Sequence, residues 1–179
     1  MNLKLPKTYK LILALCIVSG PFIWLVMTED GKRRSDLFLL SVLGRQPFNL
    51  AVANLQPGLE ESALLAQFPR IAFACDDRPR SLGNRRCAAE IGSFNGVPAR
   101  SAELYWNDGK LQAVRIDYRG RWHQVLLEEL RKRHGRPRRD SIGSAGTVLA
   151  WRLEDGMLLI PETLVADEPP ALMWISQQG

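Results

Sequence analysis

The chain has 179 residues, 46% of them hydrophobic, with 24 Lys and Arg against 19 Asp and Glu, three cysteines and two histidines. The formal charge of +5 is uneven: residues 1–45 hold seven bases against three acids, and residues 46–179 hold seventeen against sixteen. The bulk is therefore near neutral and rich enough in apolar residues for one compact domain, and it has too few histidines and free thiols for a metal cluster.

Residues 1–10 form a short basic amino terminus with Lys4, Lys7 and Lys10, and no charge follows until Glu29. The interval is about long enough to cross a bilayer as a helix, and its Leu, Ile, Val and Phe residues each favour insertion by roughly 0.3–0.6 kcal/mol. The sum outweighs the smaller costs of Ser19, Gly20 and Pro21, and Tyr9 and Trp24 are placed as interfacial aromatics. No small-x-small cleavage site follows the run, which ends Leu25-Val26-Met27-Thr28. Leu13-Ala14-Leu15-Cys16 approaches a lipoprotein signal, but Leu15 is too large for the residue before a lipid-modified cysteine. The reading is an uncleaved transmembrane helix over residues 11–28. Within it Cys16, Ser19 and Gly20 make a small-residue strip that would let a partner helix approach closely; a lipid-facing, kinked helix is the alternative.

Residues 29–47 read as a juxtamembrane linker. Its apolar stretch Leu37–Leu43 is too short to span and is expected to lie at the interface or against a partner. The domain proper is assigned to 48–179. Alternation over Phe48–Leu55 predicts a strand, and Pro57-Gly58 turns into a helix over Leu59–Gln67 that Pro69 stops. Ile71, Phe73 and Cys75 share the face of a further strand. A loop follows with Arg78, Arg80, Arg85 and Arg86, its charge half offset by Asp76 and Asp77, and a strand begins near Cys87.

Cys75 and Cys87 are the only thiols outside the apolar leader. In an oxidising compartment they are expected to pair, which would stabilise the fold by roughly 3 kcal/mol in the chain-entropy account. The Lys and Arg counts either side of residues 11–28 differ only by the free amine. It is therefore the cysteine pair that orients the protein, with its amino terminus in the cytoplasm and its bulk outside.

Ala102–Trp106 and Leu111–Tyr118 flank Asn107-Asp108-Gly109 as a hairpin, with Val114, Ile116 and Tyr118 on the buried face. Trp122–Arg133 has helical spacing, and Gly135 and Pro137 end it. A second hairpin, Thr147–Leu153 and Met157–Ile160, turns at Glu154-Asp155-Gly156; after an acidic, proline-rich loop, Ala171–Ile175 closes the fold. The four tryptophans from Trp106 onward are expected in the core. The fold class is α+β: one transmembrane helix, then an antiparallel sheet with two helices on one face. The echo of Tyr105–Leu111 in Trp151–Leu158 suggests a tandem αβ repeat.

Several of these residues carry a resemblance. Asn54-Leu55-Gln56-Pro57-Gly58-Leu59 ahead of a short helix, the Cys75/Cys87 pair, Asn95-Gly96-Val97-Pro98-Ala99, the Asp108-Gly109-Lys110-Leu111 turn, His134-Gly135-Arg136-Pro137 and Trp151 occur in order. Over roughly residues 48–176 the chain resembles bacterial envelope domains of the BamE/SmpA-like and β-lactamase-inhibitor-protein-like superfamily. The resemblance implies a binding or scaffolding module in the periplasm, helices on an antiparallel sheet, and no catalytic residues to carry over.

The densest charge is Arg131, Lys132, Arg133, Arg136, Arg138 and Arg139. Cations at a helix carboxyl end complement its dipole, and the same run could meet an acidic partner or anionic headgroups. A Gly-Arg-Pro hook for DNA is excluded by the expected location outside the cytoplasm. His123 has no nucleophile relay near it in sequence, and no phosphate loop or metal-ligand spacing occurs. The expectation is thus a non-enzyme without cofactor, small-molecule substrate or nucleic acid. It sits in the bacterial inner membrane, and its partners are the lipid bilayer and integral membrane proteins of a larger envelope complex. It would serve that complex as an accessory or scaffold subunit. The second reading is a tethered binding or inhibitory module working through the arginine-rich surface.

Overall fold

The structure is a computed structural model and describes residues 6–141, 146–165 and 168–177. Lys4 of the basic leader and Asp167 of the acidic loop lie outside the described residues.

Helix α1 (Lys7–Met27) has a mean hydropathy of 2.1 in its most apolar window, none of which is buried against the protein. At about 1.5 Å per residue it is long and apolar enough to cross a bilayer. It runs through Pro21 unbroken, and the Ser19 hydroxyl is used on the Leu15 carbonyl one turn back, 2.6 Å away.

The stretch read as a linker is mostly a second helix. Thr28 is extended (φ −96°, ψ 147°), and its Oγ1 accepts from the Gly31 amide to start α2 (Glu29–Val42). Glu29 and Asp30 in the first turn suit the positive end of the helix. Leu40 is buried, and Asp36 reaches across 86 residues of chain to accept from the Trp122 indole at 3.0 Å while pairing with Arg121.

Beyond α2 the fold is α+β. Strand β1 (Pro47–Phe48) is much shorter than the expected Phe48–Leu55. A 3-10 turn at Val52–Asn54 intervenes, so Val52 and Leu55 are buried at a helical spacing of three while Leu50 and Val52 keep the spacing of two. Helix α3 (Glu61–Ala66) starts later than its sequence suggests because Glu60 is extended and bridges to Lys110. Strands β2 (Ala74–Asp76), β3 (Arg85–Glu90), β4 (Ser93–Phe94), β5 (Val97–Asn107) and β6 (Lys110–Tyr118) follow, then α4 (His123–His134). The β5–β6 turn is at Asp108-Gly109, both with positive φ (50° and 76°), the geometry that Asp-Gly adopts most readily. The chain closes with β7 (Arg138–Ser141), β8 (Thr147–Arg152), β9 (Gly156–Pro161) and β10 (Ala171–Ser176).

The sheet runs β1-β4-β5-β6-β10-β9-β8-β7, with β3 also on β5 and β2 outside it. The β1–β4 pair is parallel and the others are antiparallel. One core gathers Leu104, Trp106, Ile116, Tyr118, Leu158 and Trp174 from the strands with Leu64 of α3 and Leu126 and Leu130 of α4. Trp106, Trp122, Trp151 and Trp174 are all buried. Cys75 and Cys87 stand opposite each other on β2 and β3 and form a disulfide.

Candidate functional site

Four places hold the residues that the sequence singles out, and the fold treats them differently. In α1, Cys16 is an exposed free thiol and a side chain on Gly20 would meet nothing within 4 Å. The strip of Cys16, Ser19 and Gly20 is thus uncovered by the rest of the chain.

The arginine run is split by local structure. Arg131, Lys132 and Arg133 occupy the last turn of α4, where they face its negative end. Gly135, at φ 77°, stops the helix, and Arg136 lies in the connection. Arg138 and Arg139 belong to β7, at the end of the sheet, which among the described residues pairs with β8 alone. Nothing apolar alternates in Arg138-Arg139-Asp140-Ser141, so the strand exists because the β8 edge is there to pair with. Charges on such an edge also discourage strand addition by another chain. Lys132 pairs with Glu129 at 3.3 Å and Arg139 with Glu162 at 2.7 Å. Among the described residues Arg131, Arg133, Arg136 and Arg138 have no ion pair. This end of the domain also holds a cavity of about 260 Å³, walled by Val52, Phe94, Val97, Leu126 and Leu130 and reached by Arg133 and His134. Burial and the neighbouring Arg133 push the His134 pKa below its usual value. The cavity is smaller than most ligand pockets, which run from about 300 Å³.

The second basic cluster is largely neutralised. Arg80 pairs with Asp76 at 2.6 Å, Arg85 with Glu61 at 2.8 Å and Asp77 at 2.6 Å, and Arg86 with Glu103 at 3.2 Å. Those bonds carry the loop's charge into the fold beside the disulfide. Glu61 also lies near both cysteine sulfurs. Two disulfide sulfurs are not metal ligands in that state, so the trio holds the loop rather than an ion.

Sequence reasoning missed the face of the sheet opposite the core. There two polar clusters lie side by side across β3, β5 and β6: Arg86, Glu103 and Tyr105 in one, and Arg115, Asp117 and Ser101 in the other. Tyr105 donates to Glu103 at 2.5 Å, Arg115 to Asp117 at 2.9 Å and Ser101 to Asp117 at 3.0 Å. Burial, with Glu103 beside it, pushes the Tyr105 pKa up to about 12. The signal was present: these polar residues alternate with Ala102, Leu104, Val114 and Ile116, which point into the core.

His123 is 4% exposed, and its Nδ1 faces the Tyr118 hydroxyl at 2.8 Å. Burial lowers its pKa, with a partial offset from the Glu162 main chain, and burial raises that of Tyr118. The pair fastens the start of α4 to the end of β6. No family model, curated protein or solved structure matches the chain.

Proposed function

We propose that the protein is a single-pass, non-catalytic subunit that scaffolds a larger membrane-protein complex of the bacterial envelope. In this reading α1 crosses the inner membrane with its amino terminus in the cytoplasm and the α+β domain stands in the periplasm. The observation that carries the reading is α1 itself: 21 residues with no burial against its own domain, and a strip of small residues left open. An apolar helix that its own chain does not cover requires lipid, another helix, or both. The Cys75–Cys87 disulfide supports an oxidising compartment for the domain. The resemblance to BamE/SmpA-like modules supports a binding role, and with it the finer architecture of two helices on one sheet face as a tandem αβ repeat.

The test is extraction of the protein from native membranes in mild detergent, followed by particle sizing. The expected particle is larger than one chain and contains at least one further integral membrane protein. A lone monomer overturns the scaffold reading.

Arg131, Arg133, Arg136 and Arg138, which have no ion pair among the described residues, favour the second reading, a tethered module that recognises an acidic partner or anionic headgroups. Replacing these four with Ser would release such a partner and leave a complex held through α1 intact.

A further inference from the structure

The sequence expects Leu37–Leu43 at the membrane interface or against a partner, and α2 shows which of these residues the domain leaves uncovered. Phe38, Leu39 and Val42 of α2 are 68%, 57% and 68% exposed and Leu43, just past its end, is 74% exposed; the side opposite Phe38 and Val42 is held by Leu40 and by the bonds of Asp36 to Trp122 and Arg121. Three large exposed apolar residues on one helix and a fourth at its end are more than the scattered apolar exposure of an ordinary surface.

The direction of that face follows from the elbow between the two helices. Gly31, Ser35, Phe38 and Val42 are spaced by four, three and four residues, so they lie along one side of α2. The first of them is packed on α1. A Cβ on Gly31 would collide with the Trp24 carbonyl oxygen and stand 2.7 Å from the Leu25 Cα. Only a residue without a side chain permits that approach, and it shows which side of α2 looks back towards α1. Phe38 and Val42, one and two turns beyond Ser35 on the same side, therefore face the space around the end of α1.

If α1 lies in a bilayer, that space is the outer boundary of the hydrocarbon. Helix α2 begins only two residues after α1 ends, and its own residues mark the headgroup level. The Arg34 guanidinium lies 5.7 Å from the ring centre of Trp24, an aromatic-and-base pair suited to that depth.

We propose that α2 is an interfacial helix that lies along the periplasmic surface of the bilayer, with Phe38 and Val42 among the upper acyl chains and Leu39 and Leu43 at their margin. The proposal rests on the reading that α1 spans the membrane. The occupant of the face is lipid rather than a protein because the surface is continuous with α1 and at the boundary that α1 defines. Charge plays a small part: Lys32, Arg33 and Arg34 are matched by Glu29, Asp30 and Asp36, and the three bases pair with Glu29 or Asp30. Insertion is accordingly expected without anionic lipid. Because Asp36 and Leu40 fix the opposite side of α2 to the domain, seating this helix also sets the domain's pose over the membrane.

The test places nitroxide labels in the full chain reconstituted into phosphatidylcholine vesicles. Native Cys16 reports on the span. In a Cys16→Ala background, Phe38→Cys and Val42→Cys report on α2, and Asn107→Cys on the exposed hairpin tip gives the aqueous reference. All four positions are exposed in the fold, so folding is not at risk. Labels at 38 and 42 should show an oxygen-to-nickel-chelate collision ratio several-fold above that at 107, intermediate between 107 and 16. If 16 reads as deep while 38 and 42 match 107, the interfacial helix is wrong and the span stands. If 38 and 42 are shielded from both reagents, a protein surface covers them and the lipid assignment fails. If 16 itself is open to the nickel chelate, the membrane reading fails and takes this proposal with it.

Discussion

The same residue types meet opposite fates in α1 and in the domain. Leu11, Leu15 and Ile17 are 72%, 65% and 66% exposed, whereas Leu104, Ile116 and Leu158 are at 0%. Within the domain, apolar side chains find one another across a sheet and two helices and leave water by packing. In α1 they point outward on every side, and a helix that is apolar all round cannot leave water by packing on one neighbour. The difference shows that hydrophobicity alone does not define a core; the period and its interruption do. Strands that alternate with charge bury one face, while an uninterrupted apolar run is left to find a different solvent.

The strongest way to break the domain half of that comparison is Trp106→Ala. Trp106 is at 0% exposure in the centre of the core, and its loss should cost about 3–5 kcal/mol in denaturant unfolding of the domain. Membrane partition of α1 should not change. The converse substitution is Ile17→Asp, which should penalise insertion by roughly 3 kcal/mol in a translocon-insertion assay. The melting temperature of the domain should stay where it is, since Ile17 touches none of its core. A drop in both quantities would show that the two regions are not independent.

The smallest expected effect is on pH. The pKa values of His123 and His134 are lowered in the fold, chiefly by burial, whereas in the unfolded chain a histidine takes a proton near pH 6.5. Stability should therefore be flat above about pH 6.5 and decline as pH falls below it, because the unfolded state binds the proton first. Substituting His123→Gln should flatten part of that decline in thermal melts, leaving the share of His134. Insertion of α1, which has no histidine or carboxylate, should show no such dependence.

Much of this architecture could be read from the residues. Length and continuity marked α1, alternation marked β5 and β6, Asp108-Gly109 marked their turn, and Gly135 the end of α4. Local pattern failed where tertiary pairing decides. Arg138-Arg139-Asp140-Ser141 is a strand only because β8 offers an edge, and β1 is short because Val52 and Leu55 turn to reach the core. Helix α2 was hidden by its charges, which look like a linker until Asp36 is seen on Trp122. Of the candidate sites, the disulfide and the charge run were visible as residues. The splitting of that run and the Tyr105–Glu103–Arg86 network needed the register of β3, β5 and β6.

Strand β10 sits between β6 and β9, with Trp174 almost wholly enclosed. The middle of the sheet is consequently supplied by residues 171–176, which are synthesised after the strands on either side of them. The halves on either side must wait, unzipped at their centre, until that segment has been delivered. A nascent chain halted before it would present two open seams rather than a smaller finished domain.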